Sequence, residues 1–222
     1  MTLIENLIQE GWLKTPRIIE AFKKIKRVDF LPEDLKDLAE LNEALPISYG
    51  QTISQPLVAA FMLEQLQPQR GEKILDIGSG SGWTAALLAE IVGGKGRVVA
   101  VDIIPELVGF GKKNVEKYNF VEKGIVKFIC ADGSKGYKKE APFDKILVSA
   151  AAERVFPAWK EQLKISGRIV TPIGSSIWLF VKKSEGDEAI ASSSPSLLRS
   201  KSSVFEEIEY PGFAFVPLIT RR

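Results

Sequence analysis

The residues Asp76-Ile77-Gly78-Ser79-Gly80-Ser81-Gly82-Trp83 place three glycines at alternate positions, at the end of the apolar run Lys73-Ile74-Leu75-Asp76-Ile77. Glycine in that spacing lets a backbone turn sharply and lets a ligand lie against bare main chain. A helix starting just beyond adds N–H groups and a partial positive charge. Two ligand classes use such a turn. The dinucleotide fingerprint Gly-x-Gly-x-x-Gly requires glycine at position 83, where this chain carries tryptophan. S-adenosylmethionine needs no phosphate cradle; it offers an ammonium, a carboxylate, a ribose diol and an adenine. Two acids further along suit those groups. Asp102 closes the next apolar run, about 20 residues on, where a carboxylate can accept from ribose hydroxyls. Asp132, in Cys130-Ala131-Asp132-Gly133, is placed to accept from an adenine amino group. Either acid alone would serve as well as a turn former or a cap. Their joint position, each after a successive apolar run, is what favours a cofactor.

Much chemistry is excluded by what the chain lacks. It has no histidine, which removes Ser–His and Cys–His nucleophilic arrangements and histidine metal sites together. Cys130 is the sole cysteine, so neither an intrachain disulfide nor a cysteine metal cluster is available, and no metal is expected. Thirty basic against 28 acidic side chains leave a formal charge of +2, with no field for nucleic acid or membrane. Short basic pairs such as Lys23-Lys24, Lys112-Lys113 and Lys138-Lys139 read as solvated faces. The start of the chain has no signal-peptide pattern, and no apolar run nears the roughly 20 residues of a membrane span. A cytoplasmic monomer is the resulting expectation.

The elements that must position the turn follow from periodicity. A chain of 222 residues, 45% hydrophobic and 26% charged, suits one domain with modest additions. Strands are expected over 73–77, 97–101, 125–130, 143–149 and 167–171, with helices over 84–92, 105–118 and 155–163 between them. That alternation predicts parallel β-α-β units in an open α/β sheet of Rossmann-like, doubly wound type. Residues 177–182 and 212–216 read as strands with no helix between, hence an antiparallel edge. The intervening 184–203, rich in serine, glycine and charge, reads as a mobile loop. Ahead of the sheet, residues 1–66 form an N-terminal helical segment and a loop, and 67–222 the cofactor domain, together one compact unit. Leu3, Leu7 and Ile8 share one helical face, and Ile18, Phe22 and Ile25 another. Pro32 opens a short stretch carrying Leu35, Leu38 and Leu41. Residues 45–53 read as a loop running into a helix that turns Ala60, Phe61 and Leu66 inward. Cys130 reads as an inert core residue of a buried strand, and Trp83 as a packing residue.

From Phe30-Leu31-Pro32 to Phe215-Val216-Pro217-Leu218 the chain resembles the protein-L-isoaspartate O-methyltransferases, a family of class I S-adenosylmethionine-dependent enzymes. Leu45-Pro46-Ile47-Ser48-Tyr49-Gly50-Gln51-Thr52-Ile53-Ser54-Gln55-Pro56 is the most specific element and is similar to the family's signature loop. Ala131-Asp132-Gly133, Ala141-Pro142-Phe143-Asp144 and the closing Phe-Val-Pro-Leu are similar too. The chain departs from the pattern at Ala39-Glu40-Leu41-Asn42, where the family usually carries Ala-Tyr-x-Asp; this bears on the substrate cleft, not the cofactor turn.

The resemblance implies methylation of the α-carboxylate of L-isoaspartyl residues in damaged proteins, with S-adenosylhomocysteine as by-product. The ester then cyclises to a succinimide, whose hydrolysis returns some normal aspartate. A carboxylate of pKa about 4 is already ionised at neutral pH, so a histidine-free chain needs no general base for this reaction. Cofactor contacts are expected at Asp76, Gly78, Ser79, Gly80, Ser81, Gly82, Asp102, Ile103, Asp132 and Gly133. Substrate contacts are expected at Thr52, Ile53, Ser54 and Val216, and by family analogy Ser54 is the catalytic hydroxyl. Pro56 fits the first helical position, which makes Gln55 the cap and leaves Ser54 free. A capping serine and a buried valine are the structural alternatives at 54 and 216. At the level of function, the alternatives are a same-fold methyltransferase acting on a small molecule or RNA, a non-catalytic S-adenosylmethionine sensor, and a nicotinamide dehydrogenase.

Overall fold

The computed structural model describes residues 2–184 and 205–220. The expected mobile loop at 184–203 lies almost wholly outside them. Two helices open the chain, α1 (Leu3–Gln9) and α2 (Pro16–Lys24), followed by 3-10 turns over Arg27–Phe30 and Glu33–Leu38. Thr2 and Glu5 form a capping box on α1, its side chain and theirs answering each other's backbone N–H groups. Of the expected α1 face Leu7 is buried but Ile8 is exposed, whereas Ile18, Phe22 and Ile25 are all buried.

Three N-terminal expectations are corrected. The stretch after Pro32 is a 3-10 turn with no buried residue, and Leu38 and Leu41 are exposed: the turn ends at Leu38, and 3-10 runs are short, so no helical face long enough to be buried forms. The segment expected as a loop is a hairpin, β1 (Leu45–Ser48) and β2 (Gln51–Ile53), paired antiparallel. Positive φ at Ser48, Tyr49 and Gly50 closes it, and Leu45 and Ile47 point inward while Pro46 and Ser48 face out. Phe61, on α3 (Pro56–Leu66), is half-buried; its ring packs against Trp12, Tyr210 and Phe213.

The sheet is built from β3 (Lys73–Ile77), β4 (Arg97–Asp102), β5 (Val126–Cys130), β6 (Phe143–Val148), β7 (Leu163–Ile173), β8 (Ser176–Lys182) and β9 (Phe205–Pro211). Their order is β5-β4-β3-β6-β7-β8-β9. β5, β4, β3, β6 and β7 run parallel, and β8 and β9 add antiparallel. Connecting helices are α4 (Trp83–Val92), α5 (Pro105–Glu116) and the short α6 (Pro157–Glu161). The α/β, mostly parallel sheet with an antiparallel edge is as expected. Near-continuous apolar strands are what a sheet covered on both faces requires. Ile74, Val98 and Ala100 face one cluster with α2, α3 and α4, while Leu75, Val99 and Val101 face another around Trp159 and Phe143.

Three boundaries differ from expectation. The helix at 155–163 shrinks to Pro157–Glu161 and β7 starts at Leu163, because the register shift between Phe143 and Lys145 absorbs the extra residues in extended chain. The last strand is Phe205–Pro211, not 212–216: β8 offers its free edge to Phe205-to-Pro211, and Gly212 and Phe213 N–H both donate to Ser175 O, bending the chain away. Cys130 is exposed, since the strand order leaves β5 at the sheet margin.

Candidate active site

After β3 the chain leaves along the sheet's carboxyl edge, and β4 and β6 lie on opposite sides of β3. That switch point is where an open α/β sheet leaves a crevice for ligand. The turn that fills it holds Gly78, Gly80 and Gly82 at φ 76°, 48° and 84°, the left-handed region that side chains disfavour. Gly78 and Ser79 N–H donate to Val101 O at 2.8 and 3.1 Å, Gly80 N–H to Asp102 Oδ2 at 2.9 Å, and Gly82 N–H to Ser79 O at 2.7 Å. Four of the turn's N–H groups are thus satisfied within the chain. Those four are not offered to a ligand; what disfavours a dinucleotide is tryptophan at position 83.

Three adjoining cavities open at this edge. The first, of about 510 Å³, is lined by Gly78, Gly80, Asp102, Ile103, Gly133, Thr52 and Val216 among the expected residues. A polar one of about 290 Å³ is lined by Thr52, Ile53, Ser54, Gly78, Ser79, Gly80, Ser81, Trp83, Thr84 and Ser149. The third, about 620 Å³ and mainly apolar, lies between Ser54, Gln55 and Val58 on one side and Ala214, Phe215 and Val216 on the other. Thr52 and Ser149 belong to all three, and Ser54 to the last two.

Asp102 ends β4 and is 7% exposed; Oδ1 accepts from Ile104 N–H at 3.0 Å while Oδ2 takes Gly80. An ionised carboxylate has about four lone-pair sites, so each oxygen keeps one for a ligand. Asp132 caps the turn Gly133–Lys135, Oδ1 accepting from Ser134 N–H at 3.0 Å and from Ser134 Oγ at 2.7 Å. Its neighbour Gly133, not Asp132, lines the cavity. Asp76 lies beneath the turn, fully buried, with Thr84 Oγ1 donating to its Oδ2 at 2.8 Å. Burial pushes its pKa up to about 7, the Thr84 hydroxyl pulls it down, and Asp102 pushes it up again. Asp76, Gly82 and Asp132 line none of the three cavities.

Ser54 is not the cap of α3. Pro56 occupies the first helical position and Gln55 the cap, with no side-chain cap bond of its own. Asn42, from the atypical 39–42 segment, supplies that bond instead: its Oδ1 accepts from Leu57 N–H at 3.0 Å, and Gln55 Nε2 donates to Asn42 O at 2.8 Å. Val216 lies outside any strand, and its carbonyl accepts from Ala151 N–H at 2.8 Å. Trp83 is 3% exposed and packs edge-on to Phe22 at 5.6 Å, a packing residue as expected.

Sequence reasoning missed Ser149, whose buried hydroxyl faces Asp76 and pulls that carboxyl's pKa down; among the described residues Ser79 Oγ is buried without a partner. The position of Ser149 directly after the fourth parallel strand was the available signal, since ligands gather at carboxyl ends. Gln51, Ile104, Leu107 and the closing Pro217-Leu218-Ile219 were missed too; they complete the wall of the 510 Å³ cavity.

A glycine-floored crevice at a switch point, with a carboxylate after the second strand, is the arrangement of a Rossmann-like methyltransferase. Residues 1–196 match the family model for protein-L-isoaspartate(D-aspartate) O-methyltransferase. A protein-L-isoaspartate O-methyltransferase of Methanopyrus kandleri is 41% identical over 98% of this chain and 89% of its own. One from Thermococcus sibiricus is 39% identical over 99% and 92%. A Plasmodium falciparum protein assigned to the same family, solved with S-adenosyl-L-homocysteine, superposes with a TM-score of 0.82 at 20% identity, covering 99% of this chain and 97% of that one. The chain belongs to the protein-L-isoaspartate O-methyltransferase family.

Proposed function

We propose that the chain transfers a methyl group from S-adenosylmethionine to the α-carboxylate of L-isoaspartyl residues in damaged proteins and peptides, the first step of their repair. When bound, the cofactor supplies an electrophilic methyl group. The protein's own residues then have three tasks: to hold both ligands, to exclude water, and to aim a carboxylate that is already ionised.

The cofactor fits the crevice floored by Gly78 and Gly80, where a Cβ at Gly80 would stand 3.1 Å from Ile47 Cδ1 of the hairpin. Ser79 and Ser81 face the polar cavity, Asp102 has spare lone pairs for a diol, and Ile103 and Gly133 form the wall. Asp76, Gly82 and Asp132 shape those walls from behind. Positioning of this kind is worth up to about 7–11 kcal/mol of barrier, and it asks for no histidine.

The observation that carries the catalytic assignment is Ser54's place at the seam between the polar cavity and the cleft, relieved of capping by Pro56 and Asn42. Its hydroxyl donates to a substrate carboxylate oxygen, Thr52 and Ile53 flank it, and Val216 N–H serves the peptide backbone. A charge-assisted bond contributes roughly 1.5–3 kcal/mol. Ser54→Ala is therefore expected to lower kcat/KM on an isoaspartyl peptide by about 10- to 150-fold while cofactor affinity holds. Unchanged turnover would remove Ser54 from catalysis. A paired aspartyl peptide should not be methylated; equal methylation of both would overturn the substrate.

The same reading carries a cytoplasmic monomer working without nucleic acid or membrane. The nearly balanced charge supports it, and no helix among the described residues is long and apolar enough to cross a membrane. It also treats 1–66 and 67–222 as one unit, supported by the single apolar cluster that contains Leu7, Phe22 and Leu66 together with Ile74, Leu87 and Val115.

A further inference from the structure

Arg27 lines none of the three cavities and is 6% exposed, in the 3-10 turn Arg27–Phe30. Its guanidinium gathers backbone carbonyls from two separate stretches of chain. Nη1 donates to Ala39 O at 3.1 Å and Leu41 O at 3.0 Å; Nη2 donates to Glu43 O at 2.6 Å and Ser54 O at 3.3 Å. Its Cζ lies 5.6 Å from the ring centroid of Trp83, the first residue of α4, and Trp83 lines the same polar cavity as Ser54. One planar cation thus joins Ser54's own peptide group, the 39–43 segment and the helix that springs from the cofactor turn.

Those connections matter because little else fixes Ser54. It belongs to neither β2 nor α3, and no side-chain hydrogen bond holds its hydroxyl. The segment that Arg27 grips also delivers Asn42 to the first turn of α3, so the guanidinium orders both the residue and the helix start beside it. A carbonyl held from behind sets the rotation of its peptide, and with it the direction in which Cβ and the hydroxyl leave the backbone. Burial lowers the Arg27 pKa to about 10, with Glu40 raising it, so the side chain stays charged at neutral pH. Lysine cannot substitute: a compact ammonium with three donors cannot span four carbonyls or stack on an indole as a flat fork does.

We propose that Arg27 is a positioning residue for methyl transfer, its guanidinium fixing the Ser54 peptide and so aiming the Ser54 hydroxyl at the substrate carboxylate. This rests on the reading of Ser54 as the hydroxyl that meets that carboxylate. Geometry off by about 1 Å at such a site can cost on the order of 10²-fold in rate.

The test is a double-mutant cycle with R27K, S54A and the double variant, assayed on an isoaspartyl peptide well below the lowest melting temperature. Cofactor dissociation constants and Tm are measured alongside. R27K is expected to lower kcat/KM about tenfold with cofactor affinity within about twofold. In the S54A background it is expected to change kcat/KM by less than about twofold, because the hydroxyl it aims is gone. Equal losses from R27K in both backgrounds, or a fall in Tm with no loss of kcat/KM, would overturn the role for Arg27 and leave Ser54's standing. No effect of S54A alone would sink the Ser54 reading and this inference with it. Should R27K fold too poorly to assay, R27Q, which keeps a planar donor, enters the same cycle with the same criteria.

Discussion

Replacing Asp76 by asparagine probes the carboxylate beneath the cofactor turn. Asp76 is 0% exposed; one oxygen accepts from Thr84 Oγ1 at 2.8 Å, and the Ser149 hydroxyl faces the carboxyl group. Burial lifts its pKa from the ordinary 3.8 to about 7. Below pH 4 the group is protonated in folded and unfolded chains alike. Between about 4 and 7 the unfolded chain releases the proton and the folded chain keeps it, so stability falls as pH rises through that window and levels off above it. At about 1.4 kcal/mol per pH unit, the loss across the window is up to about 4 kcal/mol. Asparagine retains a carbonyl oxygen for Thr84 and cannot ionise. Urea unfolding of both proteins at pH 5, 6, 7 and 8 isolates this group, because other carboxylates cancel in the difference. The stability of Asp76→Asn relative to wild type is expected to improve steadily from pH 5 to 7 and then stay level. A difference that is the same at every pH would refute the argument that the buried carboxylate is protonated in the folded chain at low pH and ionises near 7.

Two further substitutions test the supports of the site. Gly111→Ala would ordinarily favour a helix by about 0.5–1 kcal/mol, but here a Cβ would stand 2.8 Å from Gly80 O and 3.0 Å from Phe128 Cε1. Backbone cannot yield, so a net destabilisation of about 1–3 kcal/mol and weaker cofactor binding are expected, read by thermal unfolding and calorimetric titration. Asn42→Ala removes the cap that α3 receives from outside its own sequence; a loss of about 1 kcal/mol in urea unfolding is expected, with Asn42→Asp retaining stability.

How far the sequence reveals this molecule depends on whether a partner is local. β3, β4 and α4 were legible because buried parallel strands are near-continuous apolar runs and the glycines mark the turn between them. β9 was not, because Glu206, Glu207 and Glu209 interrupt its apolar pattern, and its pairing with β8 spans residues far apart in the chain. The neighbouring stretch 212–216 read as a strand for its composition, yet Ala214, Phe215 and Val216 line the apolar cavity beside Ser54. Cys130 misled in the same way: the residue type suits a core, and only the strand order puts it at an edge. That Gln55 and not Ser54 caps α3 was legible, since Pro56 is a local signal. Arg27 was invisible, because backbone carbonyls 12 to 27 residues away leave no side-chain pattern to read.

Trp83 ties these threads together. At this position a dinucleotide fingerprint has glycine, and the indole here is gripped between Phe22 of α2 and the Arg27 guanidinium. An aromatic side chain buried to this degree contributes about 1.5–3 kcal/mol by burial alone, and both Phe22 and Arg27 come from the N-terminal segment. A glycine at 83 would remove that surface and detach the N-terminal helices from the turn. The residue that departs from nucleotide binding is therefore one of those that join residues 1–66 to the cofactor crevice, beside Ile47 and Thr52 of the hairpin. That junction also brings Arg27 to the helix that follows the turn, its guanidinium meeting the Trp83 ring while it donates to Ser54 O.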